Sequence, residues 1–445
     1  MSRAGFTASP PARQPGPRLL LLLGAGLLLA LLQQQLLSRR PPRLLELRNG
    51  GPGSGPASLD LRFSRPLQTA SLAAASQLRP ALAHQWLGQG DRLRLLIRPG
   101  QILQTPLNLQ LRGRDPRQLA LRPQRWHWDP RPRLLAVVPQ GSAEQLQLLG
   151  HDGHWRALTP VLPRLLALQP LGDGSGVALL SGADLWWLPL QQRNLSRSPL
   201  AEPKAGALQL LSREPLIYAH LSSNQRGDLL VQSSSRRDPQ GSTGLRSRDG
   251  QWRRLDLQAS GAIQLLPEGG AVVVPETEGL SLRALPGLPP RRQLLPGSRD
   301  LSGFCPVSGR ALLVRHWPDF RRSLELVEPG QPPRPLWLGS EAVHASACDR
   351  GGERVWLLLS QWRGRQRSTL LALDRRGRVL QRRPLEGWAV EPGTPLLFDP
   401  SRQQLLLTLR RNGRQTAQPV LIEAGSLELR PLAQPARLAV WLPAG

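Results

Sequence analysis

His151, Asp152 and His154 place two imidazoles and a carboxylate within four positions, where metal chemistry would first be sought. A metal site needs three or more convergent ligands. These side chains flank an Asp152-Gly153 turn, so they are expected to point into solvent and hold no ion. Acidic residues also recur at Asp129, Asp173, Asp228, Glu268, Asp349 and Asp399. A ring of carboxylates would suit calcium or acid–base work, but each lies within two residues of Gly or Pro, the setting of ordinary turn chemistry. The histidines are scattered, with no nucleophile elbow, phosphate loop or zinc spacing around them. No catalytic residue, metal or cofactor is assigned.

Arginine set beside tryptophan is the other chemistry on offer. His316, Trp317, Arg321 and Arg322 form one cluster, Trp362, Arg363, Arg365 and Arg367 a second, and Arg410, Arg411 and Arg414 a third. Guanidinium groups bind anions in pairs and aromatics supply rigid contact area, so these clusters are a candidate binding face. The plain reading is a set of solvated hairpin tips in an Arg-rich chain.

The elements that must position these clusters repeat at a spacing of 40 to 53 residues. A turn followed by a strongly apolar strand recurs seven times, at 129–138, 173–180, 223–231, 267–274, 305–314, 348–359 and 399–408. A second element, two alternating strands around a tight turn, recurs at 145–158, 244–257 and 369–385, twice with the Asp-Gly pair that favours a hairpin. Four short strands per unit and seven units describe a seven-bladed β-propeller over 122–445. The layout resembles TolB-type and WD-repeat propellers. Either the stretch before Trp128 or the terminal run Arg437 to Leu442 would complete the first blade. Trp155 and Trp252, each two residues past a hairpin glycine, are expected to pack within blades. Cys305 and Cys348 open the same element in adjacent units, so a disulfide and a pair of buried thiols are both open readings.

Residues 57–121 alternate instead: Leu59, Leu61 and Phe63, then Leu93, Leu95 and Ile97, then Leu107, Leu109 and Leu111. Period two means half-buried strands. Phe63-Ser64-Arg65-Pro66, Pro80 before a middle strand, and Gly113 with Asp115 resemble the bacterial Ig-like domains of envelope and surface-layer proteins. The family's strand-borne tyrosine is replaced here by Leu107, and no glycine closely follows Asp115. The resemblance implies a small β-sandwich that acts as a spacer or interaction module.

Upstream, residues 1–18 carry Arg3, Arg13 and Arg18 and no acid, and Leu19 to Leu32 is unbroken apolar sequence. The run spans roughly 21 Å as a helix, and roughly 28 Å if continued to Leu37, against a hydrocarbon core of about 30 Å. We read 19–38 as an uncleaved transmembrane signal anchor, with 1–18 cytoplasmic and 39–56, which contains the Gly- and Pro-rich stretch from Asn49 to Pro56, as a linker. The bulk of the chain is then extracytoplasmic, in a bacterial periplasm or beyond another energised membrane.

With 58 basic against 31 acidic residues the net charge is +27, almost all of it Arg. That is either a surface for anionic partners or the mark of a GC-rich genome. Export disfavours nucleic acid. The sequence therefore points to an all-β, membrane-tethered envelope scaffold whose propeller binds an envelope protein or an anionic glycan or lipid. The alternative is a propeller-based envelope hydrolase or quinone-dependent dehydrogenase.

Overall fold

The computed structural model describes residues 17–50, 55–306, 309–349 and 351–444. Past an N-terminal helix the chain is built almost wholly from antiparallel strands. The apolar runs of the repeats become the second strand of each sheet. Arg133–Gln140, Gly176–Ser181, Leu229–Ser235, Ala271–Glu276, Ala311–His316, Arg354–Arg363 and Gln404–Arg411 each pair on both sides. A continuous apolar strand is stable only where both of its faces are covered. Here they are covered by the neighbouring sheets. One cluster joins Leu312 and Leu324 of blade 5 to Val355 and Leu357 of blade 6. Others join Trp356 and Leu358 to Leu405 and Leu407 across blades 6 and 7, and Leu135 and Val137 to Val177 and Leu179 across blades 1 and 2.

Seven consecutive antiparallel sheets, five of four strands and two of five, packed in this way are the arrangement of a β-propeller. The ring closes through the C-terminus. Leu438–Leu442 pairs antiparallel with Arg133–Gln140 and becomes the innermost strand of blade 1. The stretch before Trp128 goes elsewhere, because Gln124–Trp128 pairs with Leu107–Leu111 in an N-terminal sandwich.

That sandwich has two four-stranded sheets. One orders Leu44–Gly50, Ser58–Phe63, Arg92–Ile97 and His84–Gln89; the other orders Leu195–Ser196, Gln124–Trp128, Leu107–Leu111 and Gln77–Arg79. The alternation read from sequence places Leu59, Leu61, Phe63, Leu95, Ile97, Leu107, Leu109 and Leu111 in one shared core with Trp128. The unit draws on more chain than 57–121. Leu44–Gly50, expected as linker, is an edge strand on Ser58–Phe63, and the Trp128 indole N–H donates to Asn49 Oδ1 at 2.6 Å. Of the Gly- and Pro-rich stretch, 51–54 lie outside the described residues, so what is described around them joins two paired strands.

The first helix runs Pro17–Ser38. Residues 1–16, and with them almost all of the expected cytoplasmic tail, lie outside the described residues. Among the described residues no helix is long and apolar enough to cross a membrane, so the transmembrane anchor expected over 19–38 is not found there. The uninterrupted apolar run is itself shorter than a hydrocarbon core, at roughly 21 Å against about 30 Å. The side chains described in this helix, 21–35, are all exposed.

Cys305 and Cys348 are disulfide-bonded, with Cα atoms 5.3 Å apart. They join the ends of the innermost strands of blades 5 and 6 inside the shared apolar cluster. A bridge closing a loop with a sequence separation of 43 restricts the unfolded chain. Replacing both cysteines with serine is expected to lower stability by about 3 kcal/mol. Denaturant unfolding of the variant against the oxidised protein measures this, and an unchanged midpoint would argue that the bridge does not form.

Candidate functional site

In each blade the second and third strands meet in a hairpin at one end of the ring, and in blades 2 to 7 the first and second meet in a turn at the other. All three Arg/Trp clusters lie on second-to-third-strand hairpins: between Ala311–His316 and Arg322–Val327 in blade 5, between Arg354–Arg363 and Arg365–Asp374 in blade 6, and between Gln404–Arg411 and Ala417–Glu423 in blade 7. They share one face. The N-terminal sandwich meets the other face. Leu103 N–H donates to Ser401 O at 2.8 Å on the first turn of blade 7, and Leu195–Ser196, from the far end of blade 2, completes a sheet of the sandwich.

Within the blade 5 hairpin several named residues are already engaged. His316 Nε2 lies 2.7 Å from Asp300 Oδ2. The Trp317 indole N–H donates to Ser323 Oγ at 3.0 Å, and the Arg315 guanidinium stacks 3.8 Å from its ring centroid. Arg321 pairs with Asp319 at 2.6 Å. At the tip, Phe320 adopts φ 63°, a left-handed conformation that is rare for a bulky residue, and is 87% exposed. In blade 6 Trp362 is 76% exposed, and the backbones of Arg363 and Arg365 are register partners at the tip. Arg367, on the same blade 6 hairpin, is exposed. In blade 7 the Arg411 guanidinium lies 5.0 Å from the Trp388 ring, Arg414 is exposed, and Arg410 pairs with Ala417 in the ladder.

Between blades 5 and 6 the same face opens into a pocket of about 370 Å³ lined by Arg322, Ser340, Ala342, Ser360, Gln361, Trp362 and Gln366. Two sequence-named residues, Arg322 and Trp362, are therefore brought together, while the blade 7 arginines stand outside. Arg322 makes no side-chain hydrogen bond or ion pair among the described residues. His344 lies in a register irregularity between Val343 and Ala345. Its Nε2 accepts from Gln366 at 3.3 Å and is 2.5 Å from Ser360 Oγ. Burial pushes the imidazole below its usual range, which favours this neutral, accepting form. Sequence analysis missed Ser340, Ala342, His344, Ser360 and Gln366, because an inter-blade loop and a bulge supply or orient them and neither carries a motif.

The turn acids lie at the opposite face and mostly serve their turns. Asp173 Oδ1 accepts from the N–H and hydroxyl of Ser175, Asp349 Oδ1 from Arg354 N–H, and Asp399 Oδ1 from the N–H and hydroxyl of Ser401. Asp129 is different. It is buried, its carboxylate is bridged by Arg131 at 2.8 Å, and His151 Nδ1 lies 2.7 Å away. Burial alone would raise its pKa, but the bonds from Arg131 and His151 outweigh this and hold the carboxyl far below its usual range. His151 was expected to point into solvent; it turns inward because it completes this network. Trp252, expected to pack within its blade, is half exposed on an outer strand. Among the described residues no group of three or more His, Cys, Asp or Glu is arranged to hold a metal ion.

No protein-family profile and no curated protein matches the chain. Solved structures similar to it include apo AztD from Citrobacter koseri, at 12% identity and TM-score 0.43, over 70% of this chain and 99% of that one. Oligogalacturonate lyase from Vibrio parahaemolyticus is similar at 11% identity and TM-score 0.46, over 67% and 93%. The dihydro-heme d1 dehydrogenase NirN is similar at 14% identity and TM-score 0.44, over 75% and 80%. At these scores the likeness carries no argument about activity, and the propeller assignment rests on the strand order.

Proposed function

We propose that the chain is a binding scaffold held at a bilayer on the extracytoplasmic side, with an Ig-like sandwich spacing the propeller and the hairpin face recognising an anionic partner. One observation carries this reading. Phe320 and Trp362, the two most exposed large apolar side chains among the described residues of the propeller, stand at neighbouring hairpin tips whose sequence also carries Arg321, Arg322, Arg363, Arg365 and Arg367. Large aromatics are seldom left in water, and Phe320 also bears an unfavourable backbone conformation, so neither tip is explained by the stability of this chain. The sandwich packs on the opposite face, which leaves the hairpins free.

Support for the bilayer comes from the first helix, where Leu21, Leu22 and Leu29 are 75%, 72% and 68% exposed. Exposed apolar surface of this kind marks a membrane or protein contact, here one the helix makes without crossing the bilayer.

The test is affinity capture of the tagged full-length protein from crosslinked, gently solubilised membranes. Replacing Arg363, Arg365, Arg410 and Arg414 together with Gln is expected to weaken the captured complex by at least about tenfold, since each charge-assisted hydrogen bond contributes about 1.5–3 kcal/mol. Capture that is unchanged by this substitution would remove the hairpin face from the function.

A further inference from the structure

The pocket between blades 5 and 6 differs from the rest of its face, and its chemistry is specific enough to name a ligand class. Of its described lining residues only Arg322 carries a charge. The other polar groups are hydroxyls and primary amides: Ser340, Ser360, Gln361 and Gln366. Each of these both donates and accepts hydrogen bonds. Such a lining suits a ligand rich in hydroxyl groups, which likewise do both. An acidic peptide segment would instead ask for several donors and cations converging in the pocket.

The His344 contacts fix how two of these groups are presented. A neutral Nε2 has one lone pair, so with Nε2 accepting it holds either the Ser360 hydroxyl proton or one Gln366 amide proton, and both side chains are kept against the imidazole. The Ser360 lone pairs and the Gln366 carbonyl are left to accept from a ligand. Trp362 adds an exposed, flat indole at the rim, a surface that stacks on the C–H face of a sugar ring.

Resting on the function proposed above, we propose that this pocket binds an acidic sugar residue, with Arg322 pairing the carboxylate, Trp362 stacking on the ring, and Ser360 and Gln366 accepting from ring hydroxyls. The ligand class is thus an anionic glycan carrying uronate-type units. The volume of about 370 Å³ falls in the range of small-ligand sites. His344 is a positioning residue that acts through Ser360 and Gln366.

The test is calorimetric titration of the full-length protein in detergent with a glucuronate oligosaccharide, a neutral glucose oligosaccharide and oligoglutamate. Saturable binding of the glucuronate oligomer is expected, with the neutral oligomer at least about tenfold weaker. Arg322→Gln should remove that preference for the acidic oligomer, and Trp362→Ala should weaken both sugars, with melting temperatures unchanged. If Trp362→Ala fails to fold, Trp362→Phe keeps the test, because a smaller ring should still bind but more weakly. No saturable glucuronate binding, equal affinity for the neutral oligomer, indifference to Arg322→Gln, or oligoglutamate binding as tightly would each overturn the assignment. The capture experiment above replaces arginines other than Arg322 and leaves Trp362 in place. A partner still captured, and lost with those arginines, would leave the scaffold reading standing while this one falls.

Discussion

A chain ended after Ala436 is expected to lose the cooperative fold of the propeller. The missing residues include Leu438–Leu442, the innermost strand of blade 1, which pairs with 133–137. Leu442 and Ala439 are buried, the first in the seam between blades 1 and 2 and the second in the seam between blades 7 and 1. Arg437 is lost as well; its Nε donates to Glu144 Oε1 at 2.9 Å. Truncation therefore opens two seams and leaves Leu135, Ala136 and Val137 beside an unpaired edge. At about 1.5–3 kcal/mol for each large side chain returned to water, plus the lost ladder bonds, the cost is on the order of 5–10 kcal/mol. That is comparable with the whole stability of a typical domain, about 5–15 kcal/mol. Thermal unfolding followed by circular dichroism, with limited chymotrypsin digestion, is the measurement. A synthetic peptide of residues 437–444 should restore protection in trans. A truncated chain that melted within a few degrees of the full one would show that the ring does not depend on its terminal strand.

The repeats were legible because the second strand of each blade must be apolar on both faces, and runs such as Leu134–Val138 and Val355–Leu359 announce that burial directly. Ring closure was not legible. Leu438–Leu442 and Gln124–Trp128 are both short strands next to the same blade, and only the choice of partner, Arg133–Gln140 or Leu107–Leu111, separates them. The edge of the sandwich was missed for a related reason: Leu44–Gly50 is only half buried and precedes a Gly/Pro tract, so its local signal is that of a loop. The Arg/Trp clusters were visible as composition. Nothing in the sequence tells Trp317, tied to Ser323 and covered by Arg315, from the exposed Trp362, because that distinction depends on cross-strand neighbours.

The two faces of the ring divide the charged residues by environment. On the sandwich side, several charges are paired at the docked unit: Arg133 Nε donates to Glu202 at 3.0 Å and its Nη1 to Asn194 at 2.7 Å, beside the Asp129 network. Charges there fix the docking of one unit on another. On the hairpin side, the blade 5 to 7 tips carry an excess of arginine in contact with water. Charges buried and paired hold geometry, whereas exposed unpaired ones add little stability to their own chain and are available to a partner.

Two acids that sequence treats as equivalent should respond to the same substitution in opposite ways. Asp129→Asn is expected to destabilise the protein by about 4 kcal/mol, because it strips the counter-charge from the buried Arg131 while leaving the guanidinium in place. Asp399→Asn is expected to be neutral or stabilising. Asp399 is fully buried, its Oδ2 has no hydrogen-bond partner, and burial pushes its pKa up, so the ionised form is disfavoured in the folded protein. An amide keeps the Oδ1 bonds from Ser401 without the charge.

The pH dependence of the two carboxyls has opposite signs. The folded-state pKa of Asp129 lies below the ordinary 3.8, so its contribution is present above that value and is lost as pH falls toward the folded value. The folded-state pKa of Asp399 lies above its ordinary value, so its ionisation costs stability as pH rises and is relieved in acid. Urea unfolding of both variants and the parent at pH 7 and at about pH 3 measures both effects. The Asp129→Asn deficit should shrink in acid, and any Asp399→Asn gain should disappear there. Equal losses for the two variants at pH 7 would show that the turn acids share one structural role, and that the burial of Asp129 beside Arg131 and His151 does not set it apart.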